Sequence, residues 1–170
     1  MERLQPTTPK EMRVLEIGVD EVMRYNEMWH SRLPKTDKGN LTRNTYYVFY
    51  GAEFKDHCFA SAIWTTPVAN NRLSTEETWL ELRRLAIAPD APKFTATWMI
   101  SKMTKLVRLK FPKITKLISY QDTEVHKGTI YAAANWDKLG LTKGTEWNTG
   151  VRKRVSSQST ADKVRWTYAL

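Results

Sequence analysis

The sequence predicts one α/β domain of the α+β kind, a mixed and largely antiparallel sheet flanked by helices, over residues 1–170. Strand-type alternation recurs in short runs, and helix-period runs fall between them. The order reads strand, helix, three strands, helix, strand, helix, two strands, which rules out an all-helical bundle and a strictly alternating parallel sheet. A hydrophobic share of 41%, with Trp 7, Tyr 7 and Phe 5, is enough to fill one core.

Residues 1–11 carry Pro6 and Pro9 and read as an irregular arm. Arg13 to Val19 alternates apolar side chains as a strand, and Asp20 is expected to cap a helix running to about Trp29. The polar stretch HSRLPKTDKGNLTRN, with Pro34 and Gly39, reads as a loop. TYYVFYG and CFASAIW form a hairpin around the turn EFKDH. Pro67 to Glu77 is a polar connection. TWLELRRLAI is a strand whose period is broken by Arg83 and Arg84, as a bulge would break it, and Leu80, Leu82, Leu85 and Ile87 point inward. A helix follows from Thr95 to Lys110, with Trp98, Met99, Met103, Leu106 and Val107 on one face and Lys102, Lys105 and Arg108 on another; Pro112 ends it. ITKLISYQD is a strand, GTIYAAANWDKLG an Ala-rich helix closed by Gly140, and residues 145–170 a basic strand pair, Thr145 to Arg154 and Lys163 to Leu170.

Composition narrows the function. One cysteine, Cys58, excludes a disulfide scaffold and reads as a small buried hydrophobe. No run reaches the ~18 apolar residues of a membrane span, and MERLQPTTPKEM lacks the apolar core of a signal peptide, so the expectation is a soluble, cytoplasmic protein with no membrane partner. The net charge of +9 sits in the second half: through Ser101 bases and acids balance, and Lys102 onward holds the whole excess. One-sided positive charge points to a polyanion, with nucleic acid the leading partner.

Several side chains carry chemistry, each with a plainer role beside it. His30 ends the first helix and is either a surface histidine favoured by the helix dipole or a base or metal ligand. Ser31 adds a hydroxyl in the same irregular loop. Asp122 closes a strand, where ligands of α/β folds bind, and either caps a turn or orients an amine or cation; His126 follows four residues later. His30, Asp122 and His126 together would suit iron or zinc, although no tight pair of ligands supports the set. Ser119 and Tyr120 flank that strand end. Tyr131 is a core aromatic or a general acid, with Asn135 one turn on. Arg83 and Arg84 offer one guanidinium to an anion and one to solvent. Lys102, Lys105 and Arg108 form a solvated stripe or a phosphate ridge, and Arg152, Lys153 and Arg154 border a Ser-rich turn that can contact phosphates. No serine, histidine and acid arrangement favours a hydrolase.

The element order, with a strand feeding a helix N-terminus and the segment NWDKLGL, resembles the GCN5-related N-acetyltransferase fold. Two departures stand out. The stretch LAIAPDAPKFTATW has no glycine where such enzymes cradle the coenzyme A pyrophosphate, and the usual tyrosine acid falls on Trp136. A narrower resemblance accommodates both. WHSRLP, LELRRLAI and LISYQD with HKGTIYAAANW look like the bacteriophage Mom family of DNA adenine modification proteins, a divergent branch of this fold, from about residue 25 to 141. That resemblance implies a transferase placing a carbamoylmethyl or related acyl-derived group on the exocyclic amine of adenine, inside the infected bacterial cytoplasm, against host restriction. It favours Arg84 over Arg83 and gives Tyr131 the family's tyrosine position. Its implied partners are double-stranded DNA and a small-molecule donor, acetyl-CoA or another acyl donor, with a homodimer the assembly to test for. Adenine's amine is engaged in base pairing, so base flipping onto an aromatic platform is expected, with Trp29, Trp64 and Trp147 the candidates. The opposing readings are an acyl-CoA-dependent N-acetyltransferase acting on a small amine or protein, and a non-catalytic DNA-binding module.

Overall fold

The computed structural model describes residues 4–30, 37–67, 78–123, 127–142 and 162–170. Their strands are β1 (Arg13–Glu16), β2 (Tyr47–Phe54), β3 (His57–Thr65), β4 (Trp79–Ile87), β5 (Lys116–Asp122), β6 (Asp137–Thr142) and β7 (Lys163–Ala169). They form one sheet in the order β1-β2-β3-β4-β5-β7-β6, antiparallel throughout except for the β4–β5 pair. Helices α1 (Val19–Trp29) and α2 (Lys38–Thr42) lie between β1 and β2, α3 (Thr95–Lys110) between β4 and β5, and α4 (Thr129–Ala133) between β5 and β6. The expected class holds, and the element order departs from the expected one at α2 and β6.

Two cores divide the layers. On one face Val22 of α1 and Leu41 of α2 pack on Phe49 and Ile63. On the other, Met99, Ile100, Met103 and Val107 of α3 cover Tyr50, Trp64, Leu80, Leu82 and Leu117, with Tyr131 and Trp136 in the same cluster. Strand alternation sends successive side chains to opposite faces, which is how one sheet serves both.

Three local expectations are corrected. Asp20 is not the cap of α1: Gly18 is, and Asp20 and Glu21 fill the first turn, where Glu21 Oε2 accepts from the Gly18 amide at 3.1 Å. An acid there meets the positive end of the helix dipole. The polar stretch expected as a loop contains α2, capped by Asp37, whose Oδ2 accepts from the Asn40 amide at 3.3 Å; its residues 31–36 lie outside the described ones. The Ala-rich helix stops at Ala133 rather than near Gly140. Asn135 takes a left-handed φ of 62°, its amide donates to Ala132 O and the Trp136 amide to Tyr131 O, so a Schellman turn ends α4. The chain then enters β6, which pairs with β7; residues 145–154, expected to be that partner, are outside the described residues.

Candidate active site

The β4–β5 ladder is four residues long, Trp79↔Lys116 to Leu82↔Ser119. Beyond it β4 runs on to Ile87 against β3, and β5 to Asp122 against β7. The two parallel strands therefore part at their carboxyl ends, and the order of the sheet puts no other strand between them. Such a parting leaves backbone donors and acceptors facing an opening, a natural place for an extended ligand.

Arg83 is the extra residue of a bulge on β4, since Ile63 pairs with Arg84 and Trp64 with Leu82. Without the bulge Leu82 and Arg84 would share a face. With it Arg84 turns to the face of Ile63, under α1, at the start of the opening. Burial, and after it the neighbouring Arg83 charge, push the Arg84 guanidinium below its usual range.

On β5 the alternation is uninterrupted, and it separates the expected site residues. Ser119 and Gln121 face the α3 side, where Ser119 meets Tyr131 and Gln121 Oε1 accepts from Trp166 Nε1 at 2.8 Å. Tyr120 and Asp122 face the α1 side with Arg84, opposite Arg165 and Lys163 on β7, and both are half-buried. Helix α1 packs on this face through Val22, against Phe49 and Ile63, and also contacts β4. His30 caps that turn, its amide donating to Asn26 O at 2.9 Å. Arg84, Tyr120 and Asp122 thus belong to one face of the parted sheet, the face that α1 covers and whose last turn His30 caps, and Ser119 and Tyr131 to the other.

The Ser119–Tyr131 pair closes the apex. Ser119 Oγ donates to Leu82 O at 3.1 Å and lies 2.8 Å from Tyr131 Oη. A serine hydroxyl has one proton and the carbonyl can only accept, so Tyr131 is the donor to Ser119. Tyr131 is 7% exposed, stacked on Trp166 at 5.6 Å, and its pKa is raised, chiefly by burial. Replacing Ser119 with Ala strands Leu82 O and the tyrosine hydroxyl together, at about 2 kcal/mol of stability, whereas Tyr131→Phe leaves the Ser119–Leu82 bond and costs about 1 kcal/mol. Denaturant unfolding of the two variants checks that ranking.

The remaining expected residues fall elsewhere. Asn135 is exposed at the turn that ends α4, which its left-handed φ explains. Trp64 is 0% exposed, its Nε1 against Met103 Sδ at 3.1 Å, so it is no stacking platform. Trp29 is half-buried and stacks on Tyr25 at 4.9 Å beside His30. Ser31, His126, Trp147, Arg152, Lys153 and Arg154 lie outside the described residues. Among the described residues no group of three or more His, Cys, Asp or Glu gathers to hold a metal. Cys58 is half-buried, its thiol pushed up to about 11, mainly by burial. Lys102, Lys105 and Arg108 are all exposed on α3. Sequence reasoning missed Gln121 and Trp166, whose contact joins residues 45 apart, and it missed Lys10 and Arg13, which face α3.

At the N-terminus of α3, where a glycine turn would cradle a pyrophosphate, Phe94 holds the left-handed cap at φ 68° and is 79% exposed. No side chain caps the helix and its first turn has no acid, so amides point outward, but a phenylalanine stands where glycine would allow close approach.

Solved structures share this fold at low identity. An N-acetyltransferase from Staphylococcus aureus is 11% identical over 93% of this chain and 97% of its own, with a TM-score of 0.63. An acetyltransferase from Bacillus subtilis in complex with CoA is 11% identical over 94% and 99%, TM-score 0.63. A spermidine N-acetyltransferase from Vibrio cholerae is 9% identical over 94% of each chain, TM-score 0.67. The fold is that of the GCN5-related N-acetyltransferases. In the described residues no helix is long and apolar enough to cross a membrane. No curated protein matches the sequence. The model of the Mom protein family matches residues 48–168, which include both strands that frame the opening, the Arg84 bulge and the SYQD strand end, and the chain belongs to that family.

Proposed function

We propose that this protein is a DNA-modifying transferase that places a carbamoylmethyl or related acyl-derived group on the exocyclic amine of adenine in phage DNA, protecting it from host restriction. The observation that carries this reading is the coincidence of the Mom family match with the parted strands β4 and β5. The opening suits an extended donor arm, which can lie between the parted strands. The face holding His30, Arg84, Tyr120 and Asp122 suits the acceptor.

In the transfer the adenine nitrogen forms the new N–C bond as the donor's bond to its leaving group breaks. The leaving group departs with the electron pair, and the amine proton goes to a base, the role assigned to His30. Asp122 orients the amine, and Arg84 holds an anionic part of the donor or a phosphate. Tyr131 donates its hydroxyl hydrogen bond to Ser119 and sits behind the apex, so it is assigned a positioning role. A flipped adenine would stack on Trp29. Acyl-CoA transfer to another amine is the second reading, favoured by the CoA-bound B. subtilis structure of the same fold. Acyl-CoA would supply an activated thioester, with CoA as the leaving thiol. The opening fits its extended arm, and Phe94 opposes close seating of its pyrophosphate.

The test is expression in bacteria followed by mass spectrometry of plasmid nucleosides, beside a His30→Ala control. A new adenosine species lost in the control supports the reading, and its added mass identifies the group. Unmodified DNA together with tight acetyl-CoA binding by calorimetry replaces it with the second reading.

A further inference from the structure

A groove of about 870 Å³ runs between α3 and the N-terminal arm with edge strand β1. Every charged side chain lining it is a cation: Lys10 and Arg13 on one wall, Lys102 and Lys105 on the other. Trp98 and Leu106 contribute to an apolar floor. The sixteen residues of α3 include no acid at all. Nearby carboxylates are already engaged: Glu16 holds Lys110 at 2.8 Å, Glu11 accepts from the Thr7 amide at 2.8 Å, and Asp90 from Gln5 at 3.1 Å. Like charges brought face to face from two separate elements repel one another, and a polyanion between them relieves the repulsion.

We propose that this groove seats the phosphates of one strand of duplex DNA, a surface that deepens, and rests on, the DNA-modification reading. Helix α3 begins beyond the carboxyl end of β4, so its N-terminus lies at the opening, and Trp98 brings the groove within a turn of that end. A helix of this length spans about 24 Å, roughly seven steps of a DNA strand. A strand lying along α3 therefore leads to the place where the adenine amine has to arrive. Lys102 and Lys105 are neighbours on the helix surface, each able to meet its own phosphate. Such contacts position the duplex and read no sequence.

The experiment is fluorescence anisotropy of a labelled 20-base-pair duplex with the full chain, across a range of salt. Four phosphate contacts predict a log–log salt slope steeper than about −3. Lys102→Glu with Lys105→Glu is expected to weaken binding at least tenfold at ~100 mM salt and to flatten the slope by about 2, and Arg13→Glu by about 1. Lys138→Glu, exposed on β6 at the opposite edge of the sheet, should change affinity less than twofold. Equal losses in Lys138→Glu, unchanged affinity in the groove variants, or preference for poly-glutamate over duplex each overturn the proposal. Circular dichroism verifies folding, and Lys102→Gln with Lys105→Gln repeats the test if the reversals misfold. Nucleoside mass spectrometry on the same variants separates the two readings. Modified adenine with an indifferent groove removes only the groove, and a groove that binds duplex while wild-type protein leaves adenine unmodified removes only the chemistry.

Discussion

Gly128→Ala is expected to lower the unfolding free energy by about 3 kcal/mol and the melting temperature by about 10 °C. Gly128 is the N-cap of α4 at φ 73°, a conformation that already disfavours a side chain. A Cβ built there would also stand 2.7 Å from the Trp166 ring and against Gln121 Oε1. Those two groups are bonded to each other and buried, so neither can give way without breaking the contact. Gly128 thus lets the cap of α4 close on β5 and β7, placing Tyr131 under Ser119. Calorimetric melting of the purified variant checks the size. A shift below about 2 °C would mean that α4 moves as a unit and that the apex tolerates the movement.

The second large effect concerns Arg84. Under the proposed function, Arg84→Met is expected to lower the rate of adenine modification about 100-fold while leaving thermal stability unchanged or slightly raised. The guanidinium is half-buried beside the like charge of Arg83, and an apolar side chain of similar length removes both its desolvation and that repulsion. An anion arriving at the opening gains charge-assisted hydrogen bonds worth ~2–3 kcal/mol, which sets the scale of the loss. Arg84→Lys keeps the charge without the fork and should recover only part of the rate. Initial rates on a defined duplex, with melting curves of the same preparations, separate this outcome from a structural one. A variant that loses rate and stability together would make Arg84 a strut.

The fold was legible where one face of an element is apolar and the other is not. The broken period of LELRRLAI exposed the bulge, because an added residue shifts every later side chain by one face. In α3 the apolar and basic positions separate cleanly, and its bounds were readable. SYQD was different. Ser119, Tyr120, Gln121 and Asp122 are polar on both faces of β5, so alternation could not say which of them meets Tyr131 and which meets the α1 side. Helix α2 has five residues, too few for a period, although its Asp37 cap was in view. Three consecutive alanines favour a helix, and the left-handed turn at Asn135 that ends it depends on Trp136 burying itself beneath the sheet, a tertiary contact. For the same reason the Lys10 and Arg13 wall was invisible: it exists only because the arm returns to α3.

The position of β7 governs the order in which the protein can be completed. It follows β6 in the chain yet lies between β6 and β5. Among the described residues β6 therefore has no strand to join on the ribosome, and β5 no partner on that side, until residues 163–169 arrive to bridge them. Trp166, on which Tyr131 stacks, arrives with that same strand. From β1 to β4 each strand pairs with the one before it in the chain and can do so during synthesis, whereas the stacking of Tyr131 on Trp166 waits for β7. A nascent chain stalled before β7 is expected to leave β6 and one side of β5 unpaired among the described strands, and to recruit chaperones more strongly than one stalled after it.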